Sequence, residues 1–262
     1  MVGQLALGGL ERQVYLLATG LDRRRFEVTV LSMTRGGQWA EALRQAGVSV
    51  VEVGRRGHLD WRRLAEMVRI FRAIRPHVVY SFNNAANAYA RLAGLLAGVP
   101  ILVTGERSVY MSWSMGILER VLMRFTECVI CNAEAIRRDL IHRMGLPEHK
   151  VITIRNAVLV PPVPRPAERR RARQVIGAGE DEIVVGTIAR LAAIKNLTML
   201  VRAASLCKAA ARLRFCIVGG GPDERAVMTA IHDHGVEDRF TLLGELEEAW
   251  TLLAGFDLFV LT

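Results

Sequence analysis

Short apolar runs rich in β-branched residues recur along this chain, and stretches of helical period separate them. The runs fall at 27–32, 48–53, 77–81, 101–104, 128–131 and 151–154. Ahead of the first, Leu10, Val14, Leu17 and Leu21 recur at steps of four, three and four, a spacing that lines one face of an α-helix. Asp60 is placed to cap a second helix that carries Leu64, Val68 and Phe71 on one stripe and stops at Pro76. Apolar throughout rather than alternating, such runs suit strands buried on both faces. A helix between consecutive strands is the crossover that parallel pairing needs. The expectation is an α/β fold built on parallel sheet.

The pattern breaks once. Pro161, Pro162, Pro164 and Pro166 crowd together and Arg169, Arg170 and Arg171 follow. Proline fixes φ and offers no amide donor, so this stretch reads as a linker near 155–168. The alternation then restarts, with strands expected at 183–188, 213–218, 240–243 and 258–261 and helices at 196–210 and 224–234. Two domains follow, 1–160 and 161–262. A strand stub is expected around Leu5 and Leu7. The run from Phe256 to Thr262 reads as a buried strand with no covering helix after it, so the second domain is expected to be partial.

Composition narrows the function classes. With 51% hydrophobic and 23% charged residues, the chain has material for a core and is not a disordered protein. Formal charge is +9, yet only Lys150, Lys195 and Lys208 among the 35 basic residues are lysine. That arginine skew is a compositional habit rather than a nucleic-acid signature, and no DNA- or RNA-reading motif accompanies it. The charge suits phosphorylated substrates or an anionic membrane surface. The first residues lack the basic and apolar blocks of a signal peptide, and Arg91 and Pro100 interrupt the richest apolar stretch. A cytoplasmic protein is expected, with peripheral contact at the inner face of the plasma membrane as an open addition. The segment around Trp61, Arg62, Arg63, Arg69, Arg72 and Arg75, and the stretch 110–118, fit either an interfacial helix or core packing with snorkelling arginines.

Several constellations carry little chemistry. Cys128 and Cys131 have C-x-x-C spacing, but three apart on a strand they face opposite sides. His232 and His234 diverge on a helix, which disfavours a metal site. Arg23–Arg25 and Arg169–Arg171 read as solvated faces and linker. No D-x-D is present to hold a metal–nucleotide complex.

Three glycine-bearing segments carry more. Gly8-Gly9-Leu10-Glu11-Arg12 opens the first helix. Its amides could draw an anion, or the glycines could simply turn the chain. After the strand at 183–188, Arg190 and Lys195 stand five apart in a loop, a planar fork and a point charge suited to a diphosphate. Gly219-Gly220-Gly221-Pro222 links a strand to a helix without a Walker lysine, allowing either close ligand approach or a tight turn.

Together these segments resemble the GT-B glycosyltransferases, specifically glycosyltransferase family 4. Gly8–Arg12 resembles the family's first loop, and Asn156-Ala157-Val158 its N-G-V hinge with alanine for glycine. Gly186 through Lys195 resembles its donor loop, Val218–Pro222 its G-x-G-P turn, and Phe256–Leu261 its A-D-x-F-x-x-P strand. The resemblance implies two Rossmann-like domains and transfer of a sugar from a nucleotide-diphosphate sugar (UDP-, GDP- or similar) to a lipid-linked, saccharide or small-molecule acceptor. It further implies retention of configuration, with no metal and no cofactor. By the same resemblance Arg190 and Lys195 neutralise the diphosphate. Gly186, Gly219, Gly220, Gly221, Gly244 and Leu246 line the donor, and Gly8 and Gly9 meet the phosphates or the acceptor. The family's S-x-x-E-G and E-x7-E regions would lie beyond Thr262. Its usual histidine is missing from Tyr80-Ser81-Phe82-Asn83-Asn84. A binding-only GT-B unit or a nucleotide-sugar epimerase are the other readings.

Overall fold

The computed structural model describes the chain except for residues 7, 55–59, 83, 108–120 and 208–211. The stretch 110–118, Leu7, Asn83 and Lys208 therefore lie outside the described residues. The chain divides into two compact units, Met1–Leu159 and Val160–Thr262.

The first unit runs α1 (Gly9–Gly20), β1 (Thr29–Ser32), α2 (Gln38–Gln45), β2 (Ser49–Glu52), α3 (Trp61–Ile74), β3 (Val78–Phe82), α4 (Asn84–Ala97), β4 (Ile101–Glu106), β5 (Cys128–Cys131), α5 (Glu134–His142) and β6 (Val151–Thr153). Strands β1 and β2 pair in parallel, and so do β3, β4, β5 and β6 in that order. The first two residues bridge these ladders. Val2 pairs in parallel with Ser32, while the Phe82 amide donates to the Met1 carbonyl at 3.0 Å. The strand stub is thus at the chain's start rather than around Leu5. Leu5 is fully buried, but its carbonyl accepts from the Trp39 amide at 3.0 Å and so joins α2 instead of a ladder. Asp60 caps α3 as expected, accepting from the Arg62 and Arg63 amides at 3.1 and 3.2 Å.

The second unit runs α6 (Pro166–Ile176), β7 (Ile183–Ile188), α7 (Leu197–Leu206), β8 (Leu213–Val218), α8 (Glu224–Asp233), β9 (Phe240–Leu242) and β10 (Leu258–Phe259). The sheet order is β10-β7-β8-β9, all parallel. One face packs Leu197, Leu200, Val201, Val227 and Ile231 from α7 and α8 against Val185, Phe215 and Ile217. The other packs Ala172 and Ile176 of α6 against Val184, Cys216 and Val218. The expected linker ends earlier than its composition suggests. Pro166 is the first residue of α6, where its missing amide costs nothing, and Arg165 with Glu168 closes a capping box. Consequently Arg169 is not a linker charge, because it ion-pairs with Asp257.

The strand after Phe256 is shorter than the expected 258–261, ending at Phe259, and its apolar residues are exposed as a strand without a covering helix leaves them. Phe256 is buried, but Leu258 and Phe259 are 57% and 47% exposed at the edge of the sheet. Gly186 is what seats Phe256, for a Cβ there would overlap the phenyl ring. All four cysteines are free thiols. Cys131 and Cys216 are buried, Cys128 is half-buried and Cys207 is exposed.

Candidate active site

In the second unit the chemistry-bearing loops leave the carboxyl ends of β7, β8 and β9, the edge where open parallel sheets receive ligands. The loop after β7 lies on the glycine turn after β8. The Ala189 amide donates to the Val218 carbonyl and the Leu191 amide to the Gly220 carbonyl, both at 3.0 Å. Asp223 returns a bond from its amide to the Leu191 carbonyl at 3.1 Å. Gly219 and Gly221 make this stacking possible. Their φ values are +137° and +157°, and a Cβ on either would overlap a backbone carbonyl, of Ala189 and Leu191 respectively. Those two glycines are therefore committed to packing the loop rather than to exposing a surface. Gly220 is different: a Cβ there would meet Glu245 Cβ at 3.5 Å, ordinary contact. The Gly219 amide also donates to the Gly244 carbonyl at 2.7 Å, which ties in the loop after β9. Gly244 takes φ +67° with open space around it, and Leu246 is 40% exposed nearby in sequence.

Leu191, 1% exposed, anchors the loop in the core, so its neighbours Arg190 and Lys195 stand exposed. Asn196 adopts a left-handed conformation, φ 43°, and starts α7. The fold thus gathers Arg190, Lys195, Gly219–Gly221 and Gly244 at one sheet edge, while Gly186 serves the core beneath.

At the first unit's carboxyl edge, Gly8 precedes α1 with an extended backbone. A Cβ on Gly8 would overlap the carboxylate of Glu11, which is only 6% exposed. An internal carboxylate thus already lies against the start of the helix, where a phosphate would be drawn. Space around Gly9 is open. Two further contacts at this edge join residues far apart in the chain and leave no signal in the sequence. Gln13 holds Ala157 by both backbone groups: the Ala157 amide donates to Oε1 and Nε2 donates to the Ala157 carbonyl, each at 2.8 Å. Arg107, just past β4, donates from Nη1 to Asn156 Oδ1 and lies over the Phe82 ring at 5.5 Å. Beneath them runs a buried polar chain. Ser81 donates to Asn87 Oδ1 at 2.8 Å, and Asn87 Nδ2 donates to Glu106 Oε1 at 2.6 Å. Arg91, fully buried on α4, donates to Thr104 Oγ1 at 3.0 Å.

On α3, Arg63 faces inward rather than along an interface. It is 4% exposed, bonded to the Gly54 carbonyl at 3.4 Å and placed over the Tyr89 ring. Trp61 is 73% exposed, and Arg62, Arg69, Arg72 and Arg75 are exposed with it. His232 pairs with Glu237 at 2.8 Å. Among the described residues no group of three His, Cys, Asp or Glu side chains is arranged to hold a metal. Nor is any helix among them long and apolar enough to cross a membrane.

Comparison with known proteins agrees with this architecture. A sequence profile of Glycosyltransferase Family 4 matches residues 7–159, and one of glycosyl transferases group 1 matches residues 168–262. Among solved structures, HepE from Anabaena in complex with UDP-glucose superposes with TM-score 0.84 at 22% identity, covering 100% of this chain and 72% of its own. A glycosyltransferase from Rickettsia africae gives TM-score 0.83 at 16% identity, covering 99% and 70%. The lipopolysaccharide outer core galactosyltransferase WaaB, in apo form, gives 0.69 at 15%, covering 100% and 72%. These likenesses establish a GT-B fold. No curated protein sequence matches the chain.

Proposed function

Because this chain belongs to Glycosyltransferase Family 4, we propose that it moves a sugar from a nucleoside-diphosphate sugar to a lipid-linked, polysaccharide or small-molecule acceptor. The observation that carries this reading is the loop holding Arg190 and Lys195. Backbone hydrogen bonds fix it on the glycine turn at the sheet's carboxyl edge, with both cations outward. Negative charge builds on the leaving diphosphate as the glycosidic bond breaks, and preorganised cations favour that state over the bound ground state. Arg190 supplies a bidentate fork and Lys195 a point charge, a pair that needs no metal to perform the neutralisation. Gly220 is the turn residue left free to approach the donor, and Gly244 and Leu246 flank it on the next loop. HepE has been crystallised with UDP and with UDP-glucose, which supports a nucleotide sugar as the donor class.

In the first unit the Glu11 carboxylate disfavours a phosphate at Gly8, so Gly8 and Gly9 serve the acceptor, whose hydroxyls a carboxylate welcomes. Retention of the sugar's configuration completes the reading. The exposed residues of α3, with Leu92, Leu95 and Leu96 exposed on α4 beside it, offer a basic and apolar face to an anionic membrane.

Calorimetry with UDP, GDP and ADP tests the donor site. Replacing both Arg190 and Lys195 by alanine should weaken binding of the favoured nucleotide by roughly 10²- to 10⁴-fold, since a charge-assisted hydrogen bond contributes about 1.5–3 kcal/mol. Undiminished nucleotide binding and transfer in the double variant would refute the phosphate clamp.

A further inference from the structure

Arg107 is the one half-buried arginine on the first unit's carboxyl edge whose charge the surrounding described residues leave unanswered. Buried Arg173 meets Asp257 at 3.0 Å, and half-buried Arg137 and Arg214 meet Glu148 and Glu182 at 2.8 and 2.9 Å, while buried Arg63 is held by the Gly54 carbonyl and the Tyr89 ring. Those carboxylates hold Arg137 and Arg214 above the ordinary guanidinium range. Arg107 moves the other way, because burial pushes it down. Its Nη1 reaches the neutral Asn156 amide oxygen, and its Nε is buried without a hydrogen-bond partner among the described residues. The Phe82 ring lies beneath it, its centroid 5.5 Å from the guanidinium carbon.

Position compounds the charge. Arg107 follows β4, Phe82 ends β3, and Asn156 follows β6, two strands beyond β4 in the sheet. Adjacent strands lie about 4.8 Å apart, so the side chain reaches across the end of β5, on the order of 10 Å along the sheet's edge. A desolvated cation without a counter-charge is costly. Held rigidly at the edge where parallel sheets receive ligands, it is poised for an anion supplied from outside.

We propose that Arg107 binds an oxyanion, a phosphate or a carboxylate, carried by the acceptor. That the anion rides on an acceptor rests on the glycosyltransferase reading; the oxyanion site itself does not. Planar guanidinium and two-oxygen anion would meet fork to fork, through the edge that bears Nε.

The test uses the whole chain carrying Arg190→Ala and Lys195→Ala, so that the donor-side cations contribute nothing. Thermal unfolding is followed at constant ionic strength against inorganic phosphate and, separately, acetate. A saturable rise in melting temperature with either anion is expected. A response to phosphate alone assigns a phosphorylated acceptor, and one to acetate alone a carboxylated one. Arg107→Met should abolish the response, and Arg107→Lys should weaken it about tenfold by losing the fork. Asn156→Asp is the decisive variant, for it sets a carboxylate against the guanidinium. It should raise the melting temperature without anion and abolish the anion response. No response in the parent, or one unchanged by Arg107→Met or Asn156→Asp, would overturn the proposal. Failure of nucleotide binding in the unaltered chain would instead sink the glycosyltransferase reading and leave this one standing.

Discussion

Alanine at Gly219 and alanine at Gly220 are neighbouring changes of identical chemistry with different expected consequences for stability. At Gly219, φ +137° is open to glycine and strained for alanine, at a cost of about 1–3 kcal/mol. The new Cβ also overlaps the Ala189 carbonyl, so the loop must lift. Lifting it breaks the Ala189–Val218 and Leu191–Gly220 backbone bonds, worth about 1 kcal/mol each. A loss of about 3–5 kcal/mol follows, on the order of 15 °C in the melting temperature of a domain this size. At Gly220 the Cβ finds Glu245 Cβ at 3.5 Å, and stability should change by no more than about 0.5 kcal/mol. Urea denaturation of both variants, read alongside UDP titration, separates the effects. Gly219→Ala should lose stability and nucleotide affinity together, while Gly220→Ala should lose affinity alone. Equal destabilisation by the two would show that the stacking of loop on turn is not what requires glycine.

Asp257 is held below the usual carboxylate range: burial alone would raise it, but bonds from the Val184 amide, Arg169 and Arg173 outweigh that. A depressed group stabilises above its unfolded value, about 3.9, and loses that contribution as pH falls through its folded value. Asp257→Asn should therefore cost about 2 kcal/mol at pH 7, chiefly by taking the paired carboxylate from the 7%-exposed Arg173, which keeps its backbone carbonyl partners, with the difference from the parent closing below pH ~4. A pH-independent difference would contradict it. Gln13→Ala should speed tryptic cleavage after Arg155 by releasing Ala157, with Arg165 silent because Pro166 follows; an unchanged cleavage rate would show the clamp is idle. Flotation with phosphatidylglycerol vesicles should recover the protein at low salt, neutral vesicles should not, and Arg69→Glu with Arg72→Glu should end it, at about 1 kcal/mol per arginine. Recovery unaffected by that reversal would place membrane contact elsewhere.

What the sequence makes legible is whatever burial writes into its period. Strands Cys128–Cys131, Ile183–Ile188 and Leu213–Val218 have the bounds that their apolar runs predict. The first strand was obscured because Leu5 is as buried as a strand residue yet pairs with the start of α2 and not with a strand. The start of α6 was hidden because a proline cluster looks the same whether its last member ends a linker or begins a helix. Arg91 interrupts an apolar run as though it were exposed, but it is fully buried and bonded to Thr104. At the candidate site, charge and spacing single out Arg190 and Lys195, and the fold places both exposed in the loop after β7. Gln13 and Arg107 were not legible, since each acts through residues brought near only by the fold, 144 and 49 positions away. The three glycines of 219–221 could not be told apart by composition; their φ values and neighbours divide their labour.

The four free thiols have a practical consequence. Burial pushes Cys216 up to about 12 and raises Cys128, and Cys131 is buried, which leaves all three poor nucleophiles. Cys207 alone is exposed, at the carboxyl end of α7, whose other end begins two residues after Lys195. A maleimide dye should attach there first, about 15 Å along a rigid helix from the donor loop. The unaltered protein thus carries one addressable labelling position on the helix that follows the Arg190–Lys195 loop.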